Sequence, residues 1–101
     1  MIVVEQIIQK IHPDKWAALE EIEKKFTEVE TSLGFPPKKR FRCMIGQHDS
    51  NTLIIERQWE SLAAMEAAYE KAFAHPEHQA LAQESAAIIA SGQYEILMPL
   101  P

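Results

Sequence analysis

The stretch Lys38–Trp59, KKRFRCMIGQHDSNTLIIERQW, decides the fold, because it reads as two strands in succession with only a loop between them. Lys38 to Gly46 and Thr52 to Trp59 have strand character, and Gln47-His48-Asp49-Ser50-Asn51 has the composition of a hairpin loop. Pairing Ile45 with Leu53 also sets Met44 opposite Ile54, Cys43 opposite Ile55, Arg42 opposite Glu56 and Arg40 opposite Gln58. A slip of one residue would put Cys43 opposite Glu56 and Phe41 opposite Gln58, which is worse on both faces. The favoured register predicts one largely apolar face. The other would carry Arg40, Arg42, Glu56 and Gln58, as a polar dimer interface or a wet cavity requires.

Working outward, the hairpin is flanked by helices and then by strands. On its N-terminal side, Trp16, Leu19, Ile22, Phe26, Val29 and Leu33 recur at spacings of three and four, the apolar stripe of a helix. His12-Pro13-Asp14 opens that helix, Gly34 caps it, and Pro36-Pro37 prevents its resumption. Before it, Ile2 to Ile11 carries Val3, Ile7 and Ile11 on one face and Ile2, Val4 and Ile8 on the other. A strand apolar on both faces is covered on both sides. On the C-terminal side Ser61 caps a second helix with the stripe Leu62, Met65, Tyr69 and Phe73. His75-Pro76 breaks it, and Pro76 starts a third helix through Leu81, Ser85, Ile88 and Ile89, ended by Ser91-Gly92. Tyr94 to Leu100 is a last strand, closed by Pro99 and Pro101. Right-handed crossovers turn this order into an α+β, ferredoxin-like βαββαβ domain over residues 1–101, a four-stranded antiparallel sheet with its helices on one face.

Composition narrows the function classes. Apolar residues make up 47% and charged residues 25% of the 101, which is ordinary globular composition. A chain of this size buries only about 60–70% of its unfolded surface, so a bare sheet face gains from a second copy. A homodimer through the face opposite the helices is expected. The formal charge of −5 argues against nucleic acid as a partner. The one basic cluster, Lys38, Lys39, Arg40 and Arg42, reads as a solvated strand edge. Cys43 is alone, so no internal disulfide forms, and it reads as a buried structural thiol in a reducing compartment. Met1-Ile2-Val3-Val4 gives way at once to Glu5 and Gln6, too short for a signal-peptide core or a membrane span. No membrane partner and a cytoplasmic location are expected.

Three segments carry a resemblance: Ile11-His12-Pro13-Asp14-Lys15-Trp16, Ile54-Ile55-Glu56-Arg57-Gln58-Trp59-Glu60-Ser61-Leu62, and His75-Pro76-Glu77-His78-Gln79-Ala80-Leu81. With the ending Ile96-Leu97-Met98-Pro99-Leu100-Pro101, the chain resembles the dimeric α/β-barrel superfamily, nearest to NIPSNAP-like and antibiotic-biosynthesis-monooxygenase-like proteins. The resemblance implies two ferredoxin-like subunits packed sheet to sheet. It implies no single reaction, because the scaffold also hosts haem-degrading enzymes, chlorite dismutases and proteins without known catalysis. Haem-degrading relatives use an asparagine on the first strand, a tryptophan in the second helix and a histidine after it. This chain has no first-strand asparagine, carries Ala67, Ala68 and Tyr69 in the helix, and offers Ala82 where the histidine would be. Haem cleavage is disfavoured.

The residues able to carry chemistry are few. His75 and His78 share a helix face at i and i+3, but no third ligand joins them, so no metal is expected. No cofactor is implied, and no nucleotide loop or nucleophile motif is present. His12, where first strand meets first helix, is a weak candidate base. Arg57 and Trp59 alternate with Leu53 and Ile55, which places them on the helix-facing side of the third strand. With Tyr69 and Tyr94 they form the candidate ligand set: Arg57 to orient an anionic or enolic oxygen, Trp59 to supply flat apolar contact. The alternative has Arg57 paired with a helix carboxylate such as Glu20 or Glu23 and Trp59 packed in a closed core. Three functions fit: binding of a small, partly apolar molecule between sheet and helices, cofactor-independent oxygenation of an aromatic or polyketide-like substrate, and a non-catalytic structural or regulatory dimer.

Overall fold

Alternating burial along the first strand sets up everything else. The computed structural model describes all residues, Met1–Pro101. Strand β1 (Val3–Ile11) leads through a 3-10 turn (Pro13–Lys15) into α1 (Trp16–Ser32). Then follow β2 (Lys38–Arg42), β3 (Thr52–Trp59), α2 (Leu62–Phe73), α3 (Pro76–Ser85) and β4 (Ile89–Leu97). The sheet order is β2-β3-β1-β4 with every neighbour antiparallel. This is the ferredoxin-like α+β arrangement, with β1 and β3 central and β2 and β4 at the edges.

Local chemistry places the helix ends. Gly34, at φ +83°, takes the left-handed conformation that closes α1. The Ser61 hydroxyl accepts the Ala64 N–H at 3.0 Å to open α2. His75 caps α3 by accepting the His78 N–H at 3.4 Å, with Pro76 in the first turn. The helix-facing side of the sheet presents Val3, Glu5, Ile7 and Ile11 from β1 and Leu53, Ile55, Arg57 and Trp59 from β3. One core cluster gathers Ile11, Leu19, Ile22, Val29, Leu53, Ile55, Leu81 and Ile88 around α1 and α3. The second gathers Val3, Phe35, Trp59, Met65, Ala68 and Ala72 around α2.

Two expectations are corrected. The hairpin register places Arg42, not Ile45, opposite Leu53, with Arg40 opposite Ile55 and Lys39 opposite Glu56. An odd slip exchanges the two faces, so Lys38, Arg40 and Arg42 turn toward the helices. The physical reason lies in α1. Lys38 Nζ reaches Glu23 at 2.6 Å and Glu30 at 2.8 Å, Arg40 Nη1 reaches Glu20 at 2.8 Å, and the Arg42 guanidinium lies 3.9 Å from the Trp16 ring centre. Two cations matched to the acidic flank of α1, and a third stacked on Trp16 at its start, outweigh the apolar pairs lost. Met44 and Ile45 accordingly leave the sheet and stand in the loop, 89% and 91% exposed. The Arg42–Glu56 pair does not form, and Glu56 remains on the open face near Gln6. Cys43 is half-buried and its thiol donates to the His48 carbonyl at 3.1 Å.

The second correction concerns the C-terminal third. Helix α3 stops at Ser85, whose hydroxyl turns back onto the Ala82 carbonyl at 2.7 Å, and β4 begins at Ile89. Ile89 pairs with Ile11, and a bulge at Lys10/Ile11 adjusts the register. The β-branched pair Ile88-Ile89 suits a strand start better than a helix end. Gly92 sits where an added Cβ would lie 3.7 Å from the Ile8 carbonyl oxygen, in the ladder rather than as a helix stop.

Candidate functional site

Glu5 is the anchor of the site. It lies in the middle of β1 on the helix-facing side, only 1% exposed, directly opposite Arg57 on β3. A carboxylate so buried must be paired and hydrogen-bonded to be tolerated. Trp59 donates its indole N–H to Glu5 Oε1 at 2.9 Å, and Tyr69 donates its hydroxyl to Oε2. Arg57 Nη1 stands 3.6 Å from Oε1. The rest of the guanidinium is committed too, with Nη2 donating to Glu30 at 2.8 Å and Nε to the Pro36 carbonyl at 2.9 Å. Phe35 packs edge-on against both Trp59 and Tyr69, each at 5.2 Å between ring centres.

In front of this cluster lies a cavity of about 570 Å³ lined by Ile7, Met65, Glu66, Tyr69, Glu70, Phe73 and Tyr94. Its origin is topological. The helices cover the centre of the sheet and leave the β4 edge short of cover, so Tyr94 on the helix-facing side of β4 stays 53% exposed. Helix α2 supplies the opposite wall through Met65, Tyr69 and Phe73, its stripe at three- and four-residue spacing. Volume and lining suit a small, partly apolar molecule.

The two phenols are tuned alike. Burial, and secondly the Glu5 carboxylate, push the Tyr94 hydroxyl up to about 12, while Arg57 pulls weakly the other way. Burial and the hydrogen bond to Glu5 raise Tyr69 further. Both therefore stay protonated near neutral pH and act as hydrogen-bond donors, not as bases. Tyr69 spends its proton on Glu5. Tyr94 points at Met65 Sδ, 3.6 Å away, and sulfur is a weak acceptor that a ligand oxygen would readily replace.

Of the residues expected at the site, Tyr69 and Tyr94 line the cavity and face it together. Arg57 and Trp59 share the helix-facing side, but they stand behind Glu5 and do not line this cavity. Each is 3% exposed, held by the carboxylates and the carbonyl described above. Arg57 pairs with Glu5 and Glu30 rather than Glu20 or Glu23. His12 is exposed at the end of β1, its backbone N–H bound to the Ile88 carbonyl at 3.0 Å, and lies outside the cavity. His78 packs edge-on to Phe26 at 5.5 Å, and burial lowers its pKa. No three His, Cys, Asp or Glu side chains assemble as a metal-binding group. Glu5 went unread in the sequence. Its signal is a carboxylate at an inward position between Val3 and Ile7, sharing a face with Arg57.

The family model described as NIPSNAP matches residues 4–101. The chain belongs to the NIPSNAP family. A NIPSNAP family protein from Agrobacterium tumefaciens has a similar solved structure, with 22% identity, TM-score 0.84, and coverage of 99% of this chain and 94% of that one. A NIPSNAP-like domain protein from Burkholderia xenovorans matches at 18% identity and TM-score 0.82, covering 98% of this chain and 85% of the other. A solved protein described as an antibiotic biosynthesis monooxygenase matches at 16% identity and TM-score 0.71 over the full length of both chains. These likenesses bear on the fold alone. No curated protein matches the chain. No helix of this NIPSNAP domain is long and apolar enough to cross a membrane.

Proposed function

We propose that this NIPSNAP-family chain binds a small, partly apolar molecule in the cavity between α2 and the β1–β4 edge. The observation that carries the reading is the open space walled by Ile7, Met65 and Phe73, with the Tyr94 hydroxyl turned toward a replaceable sulfur partner. Glu5, Arg57 and Trp59 hold the wall behind it rigid.

A second reading, cofactor-independent oxygenation of an aromatic substrate, draws on the likeness to the solved monooxygenase. Such chemistry needs a base to generate the oxygen-reactive substrate anion. The cavity offers none that is free and buried: Glu5 is already hydrogen-bonded on both oxygens, and both phenols hold their protons. Binding is therefore the better-supported reading. Calorimetry with 1-naphthylmethanol tests it, using Phe73→Ala, a change at a 65% exposed position, as the control. Saturable binding weakened about fivefold or more by the variant is expected, since one aromatic wall contributes on the order of 1 kcal/mol. Binding indifferent to Phe73, or none, would contradict it. Oxygen consumption with 1-naphthol as substrate would bring the second reading forward.

A further inference from the structure

We infer that the molecule this cavity takes up is an organic cation, an amine or quaternary ammonium group on an apolar body; the inference rests on the reading of the cavity as a binding site. Every charged side chain in the lining is acidic. Glu66 and Glu70 stand one turn apart on α2, both exposed, and neither makes an ion pair. Like charges at that spacing weaken a helix, so the pair is a local cost until a cation offsets it. The lining contains no lysine, arginine or histidine. Arg57 supplies no free positive charge from behind, because Glu5 and Glu30 both pair with it.

The apolar part of the cavity fits the same ligand. Tyr69 and Phe73 lie 5.8 Å apart between ring centres at a mutual tilt of 33°, and Tyr94 closes the β4 side. Aromatic faces attract an alkylammonium through their quadrupoles, and the attraction grows as the cation is desolvated. An anion would instead meet two uncompensated carboxylates. The chain's formal charge of −5 adds a long-range pull in the same direction.

Three probes sharing a naphthyl body separate the alternatives: 1-naphthylmethyltrimethylammonium, neutral 1-naphthylmethanol and anionic 1-naphthoate, titrated calorimetrically near neutral pH into the full chain. The cation is expected to bind about tenfold tighter than the neutral probe, with the anion weakest. In the double variant Glu66→Gln/Glu70→Gln the advantage of the cation over the neutral probe should shrink to about twofold. High salt should erode the wild-type preference without any substitution, which keeps the test valid if the variant folds poorly. A neutral probe that equals or exceeds the cation overturns the charge assignment and leaves the cavity a binding site. Failure of all three probes overturns both.

Discussion

Glu5 turns a strand side chain into a structural hub: its two oxygens organise Trp59, Tyr69 and Arg57, and through them the back wall of the cavity. Removing it leaves two buried donors, on Trp59 and Tyr69, unsatisfied and takes from Arg57 one of its two carboxylates, so Glu5→Ala should cost about 3–5 kcal/mol. Glu5→Gln keeps an acceptor and should cost less, about 1–3 kcal/mol. Urea denaturation of the three proteins checks both figures, and equal stabilities would mean that the hub carries nothing. The phenols make a separate prediction about pH. Tyr94 titrates higher in the folded chain than its ordinary 10.0, so above that pH the folded state holds more protons than the unfolded state. The corresponding stability is complete below about pH 10 and is lost as the pH rises toward about 12. Chemical denaturation across that range should show a steeper loss in wild type than in Tyr94→Phe; identical slopes would put Tyr94 in open solvent. At this scale the sequence was partly legible. Parity puts Arg57 and Trp59 on the inner face and carries Glu5 to the same side of β1, but only the pairing of β1 with β3 sets that carboxylate directly against Arg57.

The β2–α1 contact shows the same limit among elements. The order of elements along the chain and both flanking helices followed from periodicity and caps, because those signals are local. Register did not, because it was settled by side chains on α1 that a two-strand comparison leaves out. Lys38 sits between Glu23 and Glu30 with only 10% of its side chain exposed. Lys38→Met should therefore cost about 2–4 kcal/mol, since Glu23, its side chain only 13% exposed, loses its short ion pair and keeps only Arg40 at 3.8 Å, while Glu30 keeps Arg57. Arg40 differs, since its Nε and Nη2 are buried without hydrogen-bond partners. Arg40→Met should cost less, about 1 kcal/mol, as it relieves unmet donors while losing the partly exposed pair with Glu20 and a longer contact of 3.8 Å with Glu23. Thermal melts of the two variants rank these effects, and a reversed order would restore the register in which Arg40 faces away from α1. The α3–β4 junction was misread for a related reason. Ile88 and Ile89 fit a helical stripe by spacing, but Ile88 turns into the core and the vacant edge beside Ile11 draws Ile89 into the sheet.

For the whole molecule, the open sheet face is the surface on which an assembly is expected. Across one row it presents Phe41, Ile54, Ile8 and Gln93, with Val4 and Leu97 nearby, and Phe41 is exposed on it. Covering such a face would add apolar burial that a chain of this length otherwise lacks. A homodimer through this face is the expectation, and Ile54→Lys, at the centre of the row, should shift it toward monomer. Sedimentation at micromolar concentration should give twice the 11.5 kDa chain mass for wild type, and a wild-type monomer would refute the assembly. The cavity lies on the other side of the sheet, so monomerisation alone should leave its lining in place.

The central claim is that the hollow between α2 and the β4 edge is where a small molecule binds. Intermolecular NOE measurement on the isotope-labelled chain with bound 1-naphthylmethanol tests it most directly. The account predicts contacts from the naphthyl protons to the side chains of Ile7, Met65, Tyr69, Phe73 and Tyr94 together. Contacts confined to the open-face residues Phe41, Ile54 and Ile8, with none to Tyr94 or Phe73, would contradict it.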